Sequence, residues 1–248
     1  MCLVARISAH ASFVKVQGSN NVNGHGFGVN IYGKFPRRMG LPGDAGGDCT
    51  VFQTGTNTPN PPCGSTPELG KLDLTSWLSQ AEGFGLPAAY PNMSVVATVF
   101  QVNADGGGPM SCEYNEDATA TSWKPMVMTL NQAGNDGLQY INRVNETVVM
   151  GFPQGTRCTG GWTQTACIVR CRTGVNKRFG GCFAVKLSDS AQPIRQVSPS
   201  GSSGSADLST SEINTIVSKV IAKMKKQKLL VSARSGSVYK RHKAKFHR

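Results

Sequence analysis

The residues whose chemistry can be read from type and spacing are the eight cysteines and the two N-x-[ST] triplets. Asn92-Met93-Ser94 and Asn145-Glu146-Thr147 are acceptor sequences for N-glycosylation, a modification of the secretory pathway. Cysteines at this density beside two such sequons point to an oxidising compartment and to disulfides. Cys49, Cys63, Cys112, Cys158, Cys167, Cys171 and Cys182 are the disulfide candidates. Without Cys2 they are seven, so one thiol is left over inside the chain or pairs outside it. A four-cysteine zinc site at Cys158, Cys167, Cys171 and Cys182 is the competing chemistry. Of their intervals of eight, three and ten residues only the middle one has C-x₂₋₄-C spacing, so the pair of knuckles usual for structural zinc is lacking, and disulfides are the preferred reading. Connectivity does not follow from spacing.

Other reactive types carry weaker signals. Asp105 precedes Gly106-Gly107-Gly108-Pro109 and reads as a turn residue bonded to its own backbone. Glu113, Glu116 and Asp117 offer the carboxylates that glycoside hydrolysis needs, yet no second acidic motif answers them, so an exposed acidic loop is preferred. Ser65 and Ser111 lie in no nucleophile elbow. Trp77, Trp123, Trp162 and Tyr90 are the aromatic side chains that could stack on sugar rings. Trp162, beside Gly160-Gly161, is the one singled out for exposure.

The elements that must position these groups are short strands between Gly- and Pro-rich turns. Phe13–Val16, Phe27–Tyr32, Ser94–Val102, Met126–Leu130, Thr147–Met150 and Cys182–Leu187 read as strands. Leu72–Ala81 reads as one helix, with Asp73 or Thr75 near its start. Many short strands separated by such turns predict a mainly β chain folded as an antiparallel β-sandwich. A length of 248 residues is enough for a sizeable core, so disulfides supplement that core.

The charge is concentrated at one end. Residues 207–248 hold eleven Lys or Arg against two acids, a net of +9 out of the chain's +12, and residues 1–206 carry only +3. A basic nucleic-acid groove in the body is therefore not expected. Residues 196–206 read as a Ser/Gly linker. Beyond it, Ser209 and Glu212 form a capping box, and Ile213, Ile216, Val217, Val220, Ile221 and Met224 recur on one helical face. A C-terminal amphipathic helix with a basic tail is predicted there, a candidate contact for anionic surfaces. At the other end, residues 1–9 are apolar and close on small residues, as the remnant of a signal peptide would.

Three blocks acquire meaning together. They are Gln101-Val102-Asn103-Ala104-Asp105-Gly106-Gly107-Gly108-Pro109-Met110-Ser111-Cys112; Cys158-Thr159-Gly160-Gly161 with Ala166-Cys167-Ile168-Val169-Arg170-Cys171-Arg172; and Phe179-Gly180-Gly181-Cys182-Phe183-Ala184-Val185. Their order and spacing resemble the Egh-like virulence factors of fungi, also called appressorium-specific proteins. Gly24-His25-Gly26-Phe27-Gly28-Val29 and Cys63-Gly64-Ser65-Thr66 add to the resemblance, which runs from about Ala9 to Leu187.

The resemblance implies secretion, expression during host penetration and a role in virulence. It also implies a sandwich similar to that of copper polysaccharide monooxygenases, whose mature chains often begin with histidine. That draws attention to His10. An amino-terminal His offers its amine and its imidazole to one copper ion, and a second imidazole completes the brace. His25 is the only other histidine of the body, and its glycine neighbours mark it as a turn residue. Family members often place a His just before the Gln-Val-Asn run, where this chain has Phe100. The expectation is a secreted, disulfide-braced sandwich spanning residues 10–195, without a resident cofactor. It would act without catalysis on a host or fungal surface component such as a polysaccharide, and not on nucleic acid. A copper-dependent polysaccharide monooxygenase using His10 and His25 is the alternative.

Overall fold

A computed structural model describes residues 11–35, 37, 46–141 and 144–188. The chain divides into two units, Met1–Arg195 and Gln196–Arg248, and the second lies wholly outside the described residues. The expected C-terminal helix and tail fall there. The segment before Ala11, with His10, also lies outside the described residues.

The strands of the first half are β1 (Ala11–Gln17), β2 (Asn23–Gly24), β3 (Thr50–Val51), β4 (Ser65–Thr66) and β5 (Gly70–Lys71). Helix α1 (Leu74–Phe84) follows. The second half supplies β6 (Ser94–Gln101), β7 (Ser111–Asn115), β8 (Lys124–Pro125), β9 (Val127–Leu130), β10 (Val144–Gly151), β11 (Ala166–Thr173) and β12 (Phe179–Lys186). They form two antiparallel sheets, ordered β2-β1-β6-β10-β9 and β5-β4-β3-β12-β11-β7-β8.

Alternation builds the core between the sheets. Val95, Ala97 and Val99 of β6, Val148 and Met150 of β10, and Phe13 and Val16 of β1 face Val169 and Cys171 of β11 and Phe183 and Val185 of β12. Strands β6, β10, β11 and β12 send every second residue inward, and a register shift between Phe13 and Lys15 of β1 brings both Phe13 and Val16 to the same face. Phe13 and Phe183 meet across the layers with ring centres 5.0 Å apart.

The second sheet is also covered on its outer face, which explains why β11 is buried along its whole length. There Ile168 and Ala184 pack with Phe27, Leu72, Leu78 and Leu86, and α1 lies over them. Arg170 and Arg172 are buried cations of that face, and Arg170 is the deeper. Arg170 Nε donates to Glu113 at 2.8 Å, its other nitrogens donate to the carbonyls of Pro62 and Asn57, and it lies 3.9 Å over the Trp123 ring. Burial pulls its guanidinium below the ordinary value, and Glu113 opposes that pull.

Two expected elements are corrected. Phe27–Tyr32 is not a strand. Gly28 has a φ of 75°, Val29 N–H closes a turn on Gly26, and Asn30 N–H donates to the Asp48 carboxylate at 2.7 Å. The alternation of this stretch came from a turn with one buried ring. The helix begins at Leu74 and runs to Phe84, because Asp73 caps it by accepting from Ser76 N–H at 2.8 Å and Gly85 stops it at a φ of 96°.

Candidate functional site

Helix α1 is amphipathic in two senses. Leu78 and Glu82 are its buried residues. Trp77, Gln80, Ala81 and Phe84 lie on a different side of the wheel and line a cleft against the Asn23–Tyr32 loop. That cleft has a volume of about 280 Å³ and takes its other wall from His25, Phe27, Ile31 and Tyr32. A second lobe of about 230 Å³ continues it past Asn30 and Leu69. Both lobes are lined by His25, Tyr32, Trp77, Gln80 and Phe84. Trp77 is half-buried at the cleft, whereas Tyr32 is 82% and Phe84 73% exposed.

The loop wall is held by backbone hydrogen bonds. Gly26 N–H donates to Phe13 and Phe27 N–H donates to Cys182, each at 2.8 Å. His25 Nδ1 is 2.9 Å from the Gly26 carbonyl, so this nitrogen carries the proton and donates. Nε2 is an acceptor in the neutral ring.

On the far side of α1, the Glu82 carboxylate organises the Trp162 turn. Oε1 accepts from Thr163 N–H at 2.9 Å and from the Thr163 hydroxyl at 2.6 Å, and Oε2 accepts from Trp162 N–H at 3.2 Å. Gly161 allows this approach. It has a φ of 71°, and a Cβ there would sit 2.0 Å from Glu82 Oε1. A buried carboxylate with three donors satisfies its own charge and fixes the turn. Trp162 stands on this turn with 64% of its surface exposed. Trp123 lies under Arg170, and the Tyr90 hydroxyl accepts from Gln17 at 2.9 Å.

Six cysteines form three disulfides: Cys63–Cys182, Cys112–Cys171 and Cys158–Cys167. The four cysteines weighed for zinc are thereby distributed over three separate bridges. Cys49, expected among the disulfide candidates, is instead a buried free thiol. Its sulfur lies 2.7 Å from the Ser12 hydroxyl, and burial pushes the thiol up to about 12. It sits outside the first sheet in a small cluster with Phe100, Val102 and Phe179, where no other described cysteine lies. The adjacent Asp48 pairs with Arg37, whose guanidinium lies 5.2 Å over the Phe100 ring.

The carboxylates weighed for hydrolysis have structural partners. Glu113 holds Arg170 and Arg172. Glu116 pairs with Lys124 at 2.6 Å and accepts from Arg157 N–H at 3.1 Å. Partial burial opposes its charge, but those two donors outweigh it and hold its carboxyl below the ordinary value. Asp117 accepts from Thr119 N–H and hydroxyl, which also lower its pKa. Asp105 lies in a 3₁₀ turn, Ala104–Gly106. Asn92 and Asn145 are both exposed, and Asn92 Oδ1 accepts from the Ser94 hydroxyl at 2.7 Å.

A family model described as Egh16-like virulence factor matches residues 8–180, which contain β1 through β11, α1 and most of both cleft walls. The chain belongs to this family. The appressoria-specific virulence factor GAS1 of Pyricularia oryzae is 29% identical over 195 residues, covering 75% of each chain. GAS2 of the same fungus is 28% identical over 146 residues, which are 56% of this chain and 48% of the relative. No solved structure matches the chain. The relatives support a virulence-associated role for this Egh16-like chain.

Among the described residues of this family member, no group of three or more His, Cys, Asp or Glu is placed to hold a metal ion. His25 is level with the middle of β1, since its neighbours Gly24 and Gly26 pair with Val16 and Phe13. Ala11 lies about 10 Å or more farther along the strand by its rise per residue. Phe100 pairs in register with Ser12 and lies under the Arg37 cation. A copper ion gains nothing from an aromatic ring and a guanidinium at that position. His10, the other brace candidate, lies outside the described residues, and His25 is the only histidine among the described ones.

Proposed function

We propose that this Egh16-like chain acts outside the cell at the host interface, as a non-catalytic protein that binds wall or cuticle polysaccharide. The observation that carries this reading is Trp162. It is a large exposed aromatic on a turn whose conformation is held by the buried Glu82. An indole held on a rigid turn loses little conformational entropy when it contacts a ligand, which is how binding platforms gain affinity. The commitment of Glu113, Glu116 and Asp117 to ion pairs and turn bonds supports binding over hydrolysis. The virulence-associated names of the relatives and the three disulfides support secretion, and the exposed Asn92 and Asn145 support glycosylation in transit.

Sedimentation of the full chain with insoluble chitin, β-glucan, cellulose and plant cuticle tests the reading. Retention on at least one of them is expected, with a loss of about fivefold or more for Trp162→Ala, since removing a well-placed aromatic contact costs about 1 kcal/mol or more. A wild-type protein that stays in solution with all four would overturn the proposal.

A further inference from the structure

We propose that the cleft between α1 and the Asn23–Tyr32 loop is a second contact site, taking two or more consecutive units of an uncharged polysaccharide. This rests on the surface-binding reading above and assigns its main subsite to residues distinct from Trp162. The first argument is the chemistry of the walls. A pyranose has C–H-rich faces and a rim of hydroxyls. Tyr32, Trp77 and Phe84 offer ring faces for the former, and Gln80, Asn23 and the acceptor nitrogen of His25 offer hydrogen-bond partners for the latter. Sites for small ligands have this composition, mostly apolar with a few polar groups that fix orientation.

The second argument is charge. Among the described residues, the larger lobe is lined by no Asp, Glu, Lys or Arg. The second lobe has only Glu68, which is paired with Lys34. Among the described lining residues, an anionic uronate polymer would find no cation free to meet it, and a cationic glycan would find no free carboxylate. A neutral chain loses no charge solvation here. The third argument is shape. Two contiguous lobes that share five residues suit a ligand extending through both, not a single sugar.

The fourth is rigidity. The loop wall is tied to β1, to β12 beside the Cys63–Cys182 bridge and to Asp48, and the helical wall is fixed by its Asp73 cap and by Glu82. The site is therefore formed before ligand arrives, which lowers the entropic cost of binding. Exposed Tyr32 and Phe84 at its lip are large apolar side chains for which the described fold has no packing use.

The test is a titration of the full chain with chitohexaose, cellohexaose, laminarihexaose and, as the charged comparison, hexagalacturonate, read by tryptophan fluorescence and calorimetry. Saturable binding of a neutral hexamer is expected, with at least tenfold weakening in Tyr32→Ala/Phe84→Ala and no response to hexagalacturonate. Both replaced side chains are exposed, so this variant keeps the fold, and near-ultraviolet dichroism checks it. Trp77→Phe, which retains an apolar ring, is expected to bind with reduced fluorescence change. Binding of a neutral hexamer that is unaffected in Tyr32→Ala/Phe84→Ala but lost in Trp162→Ala would overturn the cleft and leave the surface-binding reading standing. Tighter binding of hexagalacturonate than of any neutral hexamer would overturn the neutral specificity. Failure to bind any hexamer, together with failure to sediment with any solid polysaccharide, would overturn both.

Discussion

At the residue scale, Cys49 shows how one side chain departs from the pattern of its type. Its thiol is fully buried and hydrogen-bonded to Ser12, and burial raises it from 9.0 to about 12. Only the thiolate attacks alkylating agents, so native Cys49 should resist iodoacetamide at pH 8 and react after denaturation without reductant. Equal reaction rates in buffer and in urea would show that the pocket is open. The same shift sets a pH dependence. Below pH 9 the thiol is protonated in both folded and unfolded chains. Between about 9 and 12 the folded chain keeps a proton that the unfolded chain has lost, so stability falls as pH rises. Comparison with Cys49→Ala isolates this contribution from other alkaline groups. The expected result is a shallower decline in the variant, and parallel curves would contradict it.

At the element scale, the disulfides differ in what they constrain. Cys63–Cys182 joins residues 119 apart and ties the loop after β3 to β12, while Cys158–Cys167 closes an interval of 9 at the start of β11. Loop-closure entropy assigns roughly 5 kcal/mol to the first and roughly 2.5 kcal/mol to the second. Cys63→Ala/Cys182→Ala should therefore lower the denaturant midpoint more than Cys158→Ala/Cys167→Ala. The reverse order would mean that native packing around β11, not chain entropy, dominates. The strand β11 itself was hidden in the sequence. Cys167, Arg170, Cys171 and Arg172 break the usual alternation, because inward positions carry cysteines and outward positions are buried under a second layer. Periodicity reports one wet face and one dry face, and β11 has no wet face. Conversely, Phe27–Tyr32 alternated without being a strand, since a φ of 75° at Gly28 turns the chain there.

At the scale of the whole molecule, the described body carries the core, the bridges and both candidate contact surfaces, and the basic excess belongs to residues 207–248. A chain ending at Gln196 is expected to fold, keep its three disulfides and melt within a few degrees of the full chain. Calorimetry of the two proteins side by side checks this. A truncated protein that aggregates or melts far lower would place Ile213, Ile216, Val220 and Met224 in the main core. If the truncated chain also keeps its polysaccharide binding, the basic tail has a separate role.

The sequence by itself determined the cysteine-rich chemistry, the β class and the family. Cysteine density, paired sequons, β-branched runs between glycines and the three ordered blocks are local features that survive in one dimension. It also placed Trp162 beside a glycine pair. Only the tertiary structure decided which cysteines pair, because bridges join Cys63 to Cys182 and Cys112 to Cys171 across chain separations that spacing does not encode. Only the tertiary structure brought Tyr32, Trp77 and Phe84 around His25, since a loop and a helix about fifty residues apart meet over the outer face of β12. The physical reason is the same in both cases. Sequence patterns report the direction a residue faces along its own element, whereas a site depends on which faces of distant elements are packed together.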